Sequence, residues 1–178
     1  MKRKIISILV IMSMVLALMP VSAFATQWTD ERTIRSDWYY LRSMNNYLNI
    51  TADGKAELRK LSENEAFYVE SKGGSQFTLK MKDGRYLGLE DSRKDGTRVK
   101  AVKDPYVWLI HWEATNFNKD KSDIFSLRPP EAPQLVVNAS GQKNADGTNV
   151  ILWTYKGLDA PNHAEFRFIR ASKGADPT

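Results

Sequence analysis

The chain of 178 residues has no cysteine and only two histidines. The first absence excludes a disulfide scaffold, a thiol nucleophile, a thiolate metal site and a lipid-modified cysteine. The second leaves His111 without companions at metal-ligand spacing, so it reads as a satisfied or solvent-facing side chain. Gly-x-Ser-x-Gly, His-Glu-x-x-His and phosphate-loop patterns are missing as well, and with them the usual nucleophile, zinc and nucleotide constellations. Glu63 and Glu65 form an acidic pair, read as solvated turn residues rather than as a glycosidase dyad. A calcium loop at Asp146-Gly147 fails on spacing: with Gly147 sixth, Gln142 stands first and Trp153 twelfth, where acidic ligands are needed. A non-catalytic protein with no cofactor and no metal is expected.

Long apolar runs are confined to the start of the chain. Lys2, Arg3 and Lys4 precede an apolar core at residues 5–19, then Pro20 and the small-x-small pattern Ala23-Phe24-Ala25. A spanning helix needs roughly 20 apolar residues, so residues 1–25 are expected to be a cleaved secretory signal peptide and not an anchor. The mature chain would begin at Thr26 and be a secreted, extracellular, soluble protein of bacterial style. Losing three basic residues takes the 26 Lys and Arg to 23 against 21 acidic residues, a mature net charge of +2. With no Lys/Arg run longer than two beyond Thr26, nucleic acid is not an expected partner.

What the chain does have is one phrase stated three times. An aromatic-x-Leu strand opens each copy, at Tyr39-Tyr40-Leu41, Phe77-Thr78-Leu79 and Phe125-Ser126-Leu127. A second strand follows around Leu48, Leu87 and Leu135, then Asp-Gly at Asp53-Gly54, Asp95-Gly96 and Asp146-Gly147. A third strand comes next (residues 56–61, 99–102 and 150–153), and an aromatic fourth begins at Phe67, Trp108 and Phe166. Self-similarity at this period marks a repeat-built fold, and the alternation marks it as all-β with twelve short strands. The Asp-Gly pairs are expected to make tight hairpin turns. Residues 26–37 and 172–178 would be polar end segments flanking one domain, 38–171.

The third copy resembles a ricin B-chain-type lectin repeat through residues 134–140 (QLVVNAS), 144–153 (NADGTNVILW) and 162–168 (NHAEFRF). Over residues 38–171 the resemblance implies a β-trefoil of three pseudo-symmetric lobes, degenerate in its sugar-binding motifs. In sugar-binding copies of the family an Asp follows the second-strand Leu, Gln-x-Trp lies in the third strand, and Asn-Gln precedes the last. The Asp position then reads Asn49, Gly88 and Val136; the Gln-x-Trp stretch reads Arg59-Lys60-Leu61, Lys100-Ala101-Val102 and Ile151-Leu152-Trp153. Amides accept and donate hydrogen bonds to hydroxyls and an aromatic face covers the apolar side of a pyranose. The resemblance therefore implies a single sugar site in the third copy, from Trp153, Asn162 and His163, with Asn138 and Tyr155.

Two functions follow as expectations. One is a secreted carbohydrate-binding trefoil whose partner is a glycan or glycoprotein. The alternative is a secreted protein-interaction module that has lost sugar binding, including a protease-inhibitor-like form presenting residues 156–162 or 118–123. Trp153 and Tyr155 lie two apart on one strand face, which is either an exposed platform or an inward stripe.

Overall fold

The computed structural model describes residues 34–61, 65–90, 92–112, 124–156 and 160–171. The expected signal peptide, Glu63, the 118–123 loop, the middle of the 156–162 loop and the 172–178 tail lie outside the described residues. Twelve strands run in chain order: β1 Asp37–Ser43, β2 Asn46–Ile50, β3 Ala56–Arg59, β4 Phe67–Gly73, β5 Gln76–Met81, β6 Tyr86–Gly88, β7 Lys100–Val102, β8 Val107–Trp112, β9 Ile124–Arg128, β10 Leu135–Ala139, β11 Thr148–Thr154 and β12 Phe166–Arg170. All twelve coincide with the stretches that alternation marks out. Among the described residues no helix is long and apolar enough to cross a membrane.

The pairing closes a ring. β1 pairs with β4, β4 with β5, β5 with β8, β8 with β9, β9 with β12, and β12 returns to β1, all antiparallel. Closure removes the exposed edges that an open sheet would present. The other six strands form three hairpins, β2 with β3, β6 with β7 and β10 with β11. Six barrel strands and three hairpins in three equal lobes make a β-trefoil, as the resemblance implied.

The core is built from equivalent residues of the three lobes. Tyr39, Phe77 and Phe125 are buried on the opening strands, followed by Leu41, Leu79 and Leu127; Phe67, Trp108 and Phe166 are buried on the fourth. Each fully buried leucine contributes roughly 1.5–3 kcal/mol relative to exposure. Trp108 also needs a partner for its indole N–H, and Nε1 donates to the Leu87 carbonyl at 2.9 Å.

Backbone bonds around the three-fold axis fix which hairpin residues correspond. The Ala56 N–H donates to the Val99 carbonyl (3.0 Å) and the Val99 N–H to the Val150 carbonyl (3.1 Å). Likewise Ala101 donates to Gly54 (2.7 Å) and Leu152 to Thr97 (2.8 Å), while Thr148 pairs with Leu58. Leu58, Ala101 and Leu152 are therefore equivalent.

The Asp-Gly turns depart from the type I′ hairpin conformation. A type I′ turn needs positive φ at both central residues, yet among the described non-glycine residues only Met44 and Gln142 have it. Gly54 (φ 82°) instead closes a three-residue loop in which Thr51 and Lys55 bond each other. Gly96 (φ 82°) and Gly147 (φ 78°) sit third in turns closed by Thr97 to Lys94 and Thr148 to Ala145, the type II pattern. Two of the aspartates join lobes. Asp146 Oδ1 accepts from the Lys60 N–H of lobe one (3.1 Å), and Asp95 Oδ1 accepts from the Thr154 N–H and, at 2.7 Å, from its hydroxyl.

Candidate functional site

With Leu58, Ala101 and Leu152 equivalent, the hairpin registers identify their partners: Leu48, Leu87 and Val137. One residue further along lie Asn49, Gly88 and Asn138, paired with Glu57, Lys100 and Ile151. The position following the second-strand Leu is thus Asn138 in lobe three, and the assignment to Val136 is corrected by two residues. The third-strand stretch of lobe one is likewise Glu57-Leu58-Arg59 rather than Arg59-Lys60-Leu61, which places Arg59, Val102 and Trp153 in correspondence.

On β10 and β11 alternate residues face outward. Leu135, Val137, Val150 and Leu152 enter the core, which leaves Val136, Asn138, Ile151, Trp153 and Tyr155 on the other face. Trp153 is 52% exposed, the large apolar side chain left in solvent among the described residues. It is a platform and not an inward stripe. Val136, its cross-strand partner, is buried with Ala160 and Ala164, and half-buried Tyr155 packs against that group. Ala164 ends the 3-10 turn Asn162–Ala164, so Asn162, exposed, and His163, half-buried, stand on the flank of the same face. Asn138 is 5% exposed and lies on the same face opposite Ile151. Burial holds the His163 pKa below its ordinary 6.5, which favours a neutral imidazole with one donor and one acceptor. All five expected residues belong to one lobe: Trp153, Tyr155 and buried Asn138 on its outward strand face, and Asn162 and His163 beside it.

The corresponding surfaces of the other lobes are occupied. In lobe two, a Cβ at Gly88 would stand 2.5 Å from Val102 Cγ2 and 2.7 Å from Tyr106 Cβ. The space that a side chain fills at Asn138 is here taken by Val102 and Tyr106. The Tyr106 ring packs on Trp108 with centroids 4.8 Å apart, and its hydroxyl donates to Glu131 Oε1 at 3.0 Å. Arg93 Nε donates to the same oxygen, with its guanidinium 5.4 Å from the Tyr106 centroid. Burial, then the Glu131 carboxylate, pushes the Tyr106 pKa well above its usual value. Measured from the equivalent aromatics Phe67, Trp108 and Phe166, Tyr106 corresponds to Glu65 and Ala164. A phenol closes lobe two where a methyl group leaves lobe three open.

Lobe one is ionic. Arg59 occupies the place of Trp153 and pairs with Glu57 at 2.8 Å; Arg98 reaches the other oxygen of Glu57 at 3.3 Å. Asn49 is buried with its Nδ2 donating to the Tyr47 carbonyl at 3.0 Å, and the Glu65 carboxylate accepts from the Ile50 N–H at 3.3 Å. Among the described residues, no group of three or more His, Asp or Glu side chains gathers to hold a metal.

Comparison with solved structures bears on this geometry. A ricin B-like lectin of Macrolepiota procera, solved in complex with lactose, matches with TM-score 0.62 at 22% identity over 78% of this chain and 99% of that one. The fold is that of the ricin B-like lectins. The Rhizoctonia solani agglutinin matches with TM-score 0.63 at 18% identity, covering 78% of this chain and 97% of that one. ThreeFoil, a designed three-fold symmetric protein, matches with TM-score 0.62 at 16% identity over 74% and 97% of the two chains. At these identities the likeness is one of fold. No protein-family model and no curated protein sequence matches the chain.

The Gly88, Tyr106, Arg93 and Glu131 group was not visible to sequence reasoning. Its one signal is Gly88 itself, a glycine inside a strand, which often marks a close approach by another part of the chain.

Proposed function

We propose that this chain is a non-catalytic carbohydrate-binding trefoil, exported and soluble, with one working site on the outward face of lobe three. The observation that carries the reading is Trp153: a large aromatic side chain, exposed on a strand face, with polar Asn162 and His163 alongside and the buried Asn138 on the same face of the neighbouring strand. An indole face covers the apolar side of a sugar ring while amides and a neutral imidazole exchange hydrogen bonds with its hydroxyls. The solved lectin with lactose supports it by shared fold. Single occupancy rests on the other two lobes, one filled by Tyr106 and the other carrying the Arg59–Glu57 pair in place of an aromatic.

The test is a broad glycan array probed with the mature protein and with Trp153→Ala. Binding that disappears in the variant, with unfolding temperature unchanged, is the expected result. No glycan bound at any useful concentration would move the reading to a protein partner, which the absence of a carboxylate at Asn49, Gly88 and Asn138 favours. Export is checked separately, by N-terminal sequencing of secreted protein; a start at Thr26 is expected.

A further inference from the structure

The outward face of lobe three does not end at Trp153. Ile151 and Asn149 continue it along β11, so Asn149 lies about 13 Å from Trp153 at the rise of an extended strand. There the 140–149 segment encloses an open cavity of about 330 Å3, lined among others by Ser140, Lys143, Asp146 and Asn149. None of the lining residues is aromatic and the one purely aliphatic side chain is Ala145. Such a wall suits a ligand rich in hydroxyls approached edge-on, and gives an apolar ligand little to bury against.

The cavity is also held in shape. Gly141 and Gln142 adopt left-handed backbone (φ 63° and 58°), reversing the chain within the short turn Ser140–Gln142. Asn46 Nδ2 of lobe one donates to Asn144 Oδ1 at 2.9 Å, and Lys60 N–H donates to Asp146 at 3.1 Å. The Thr148 hydroxyl closes the far side on the Ala145 carbonyl at 2.7 Å. A loop pinned at its middle to another lobe and closed on itself at Thr148 loses little further freedom on binding, which is the condition for a useful subsite.

We propose that this cavity is a second subsite of an extended groove and that the ligand is a neutral oligosaccharide of more than two units. One unit stacks on Trp153, the chain crosses Ile151, and a later unit presents its hydroxyls to Ser140 and Asn149. The inference rests on the carbohydrate-binding reading and is tested so that the two fail differently. Calorimetric titration of the exported protein uses β-galactoside and β-N-acetylglucosaminide ladders of one to four units. The expected result is affinity rising about tenfold or more between two and four units for the series that binds. The double variant Ser140→Ala, Asn149→Ala should erase that gain while leaving one- and two-unit binding and the unfolding temperature unchanged. Equal affinity at all lengths, with binding still lost in Trp153→Ala, would overturn the subsite and leave the site intact. So would equal weakening of short and long glycans by the double variant. No binding in either series, when the array also finds no ligand, would remove the carbohydrate reading itself and the subsite with it.

Discussion

Replacing Gly88 by alanine tests whether lobe two is closed by packing. The added Cβ would lie 2.5 Å from Val102 Cγ2, 2.7 Å from Tyr106 Cβ and 3.1 Å from Tyr106 Cγ. Carbon atoms in optimal contact are about 3.5–4.0 Å apart, so each neighbour must retreat by about 1 Å. Neither is free to do so. Val102 is β-branched and stiff about χ1; Tyr106 is held by Trp108 on its ring and by Glu131 on its hydroxyl. Overpacking of this kind costs about 1–3 kcal/mol. Against it stands a gain of about 0.4–1 kcal/mol from the narrowed unfolded ensemble, because Gly88 is not among the positive-φ glycines and alanine fits its backbone. Taking the middle of each range, the net is a loss of about 1.3 kcal/mol, or a fall of about 3–5 °C in unfolding temperature at this chain length. Thermal unfolding followed by circular dichroism reads it directly. In a double-mutant cycle, Val102→Ala should recover part of the loss. A Gly88→Ala protein as stable as the parent, or more so, would refute the claim that Tyr106 and Val102 fill this position.

Three further outcomes are expected. Trp153→Ala should leave the unfolding temperature within about 1 °C, since an exposed surface side chain contributes little to stability, while removing glycan binding on the array. Asp95→Ala loses both bonds to Thr154 and with them the side-chain tie that supplements the backbone bonds between lobes two and three; a loss of about 1 kcal/mol by urea titration is expected, and no change would show that the tie is dispensable. His163 has its pKa lowered by burial, so between that value and 6.5 the unfolded chain binds the proton more readily than the folded one. Its contribution is fully present above pH 6.5 and declines as pH falls through the lowered value. Unfolding temperature measured against pH should show this decline in the parent and lack it in His163→Gln.

How far the fold was legible follows from what each residue pattern constrains. Aromatic-x-Leu and the leucine of the second strand mark inward positions of a barrel and its hairpins, and those positions are the same in every lobe, so twelve strands and three copies could be read directly. Register is another matter. Leu135 and Val137 are both buried on the inward face of β10, and a shift of two residues along a strand keeps every side chain on its own face. Counting from Leu127 therefore stops at Leu135 with nothing to signal an error. Only the partner strand decides, and it places Leu152 opposite Val137. The consequence is chemical: the candidate site has an amide, Asn138, at this position and not a methyl-bearing side chain. The same limit hid the closure of lobe two, since Tyr106 is 18 residues from Gly88 in sequence and meets it only because β8 returns past the β6–β7 hairpin.

Lobe three differs from both siblings at two corresponding places. Its hairpin carries Trp153 where the others carry Arg59 and Val102, and its flanking residue, Ala164, is small where they have Glu65 and Tyr106; its buried Asn138 is shared with lobe one as Asn49 and is missing only from lobe two, which has Gly88. Either difference alone would be compatible with drift in a repeat that needs only its core. Their coincidence on a single face is harder to assign to packing, because an exposed tryptophan adds little stability. That face is where the proposed binding site is to be tested first.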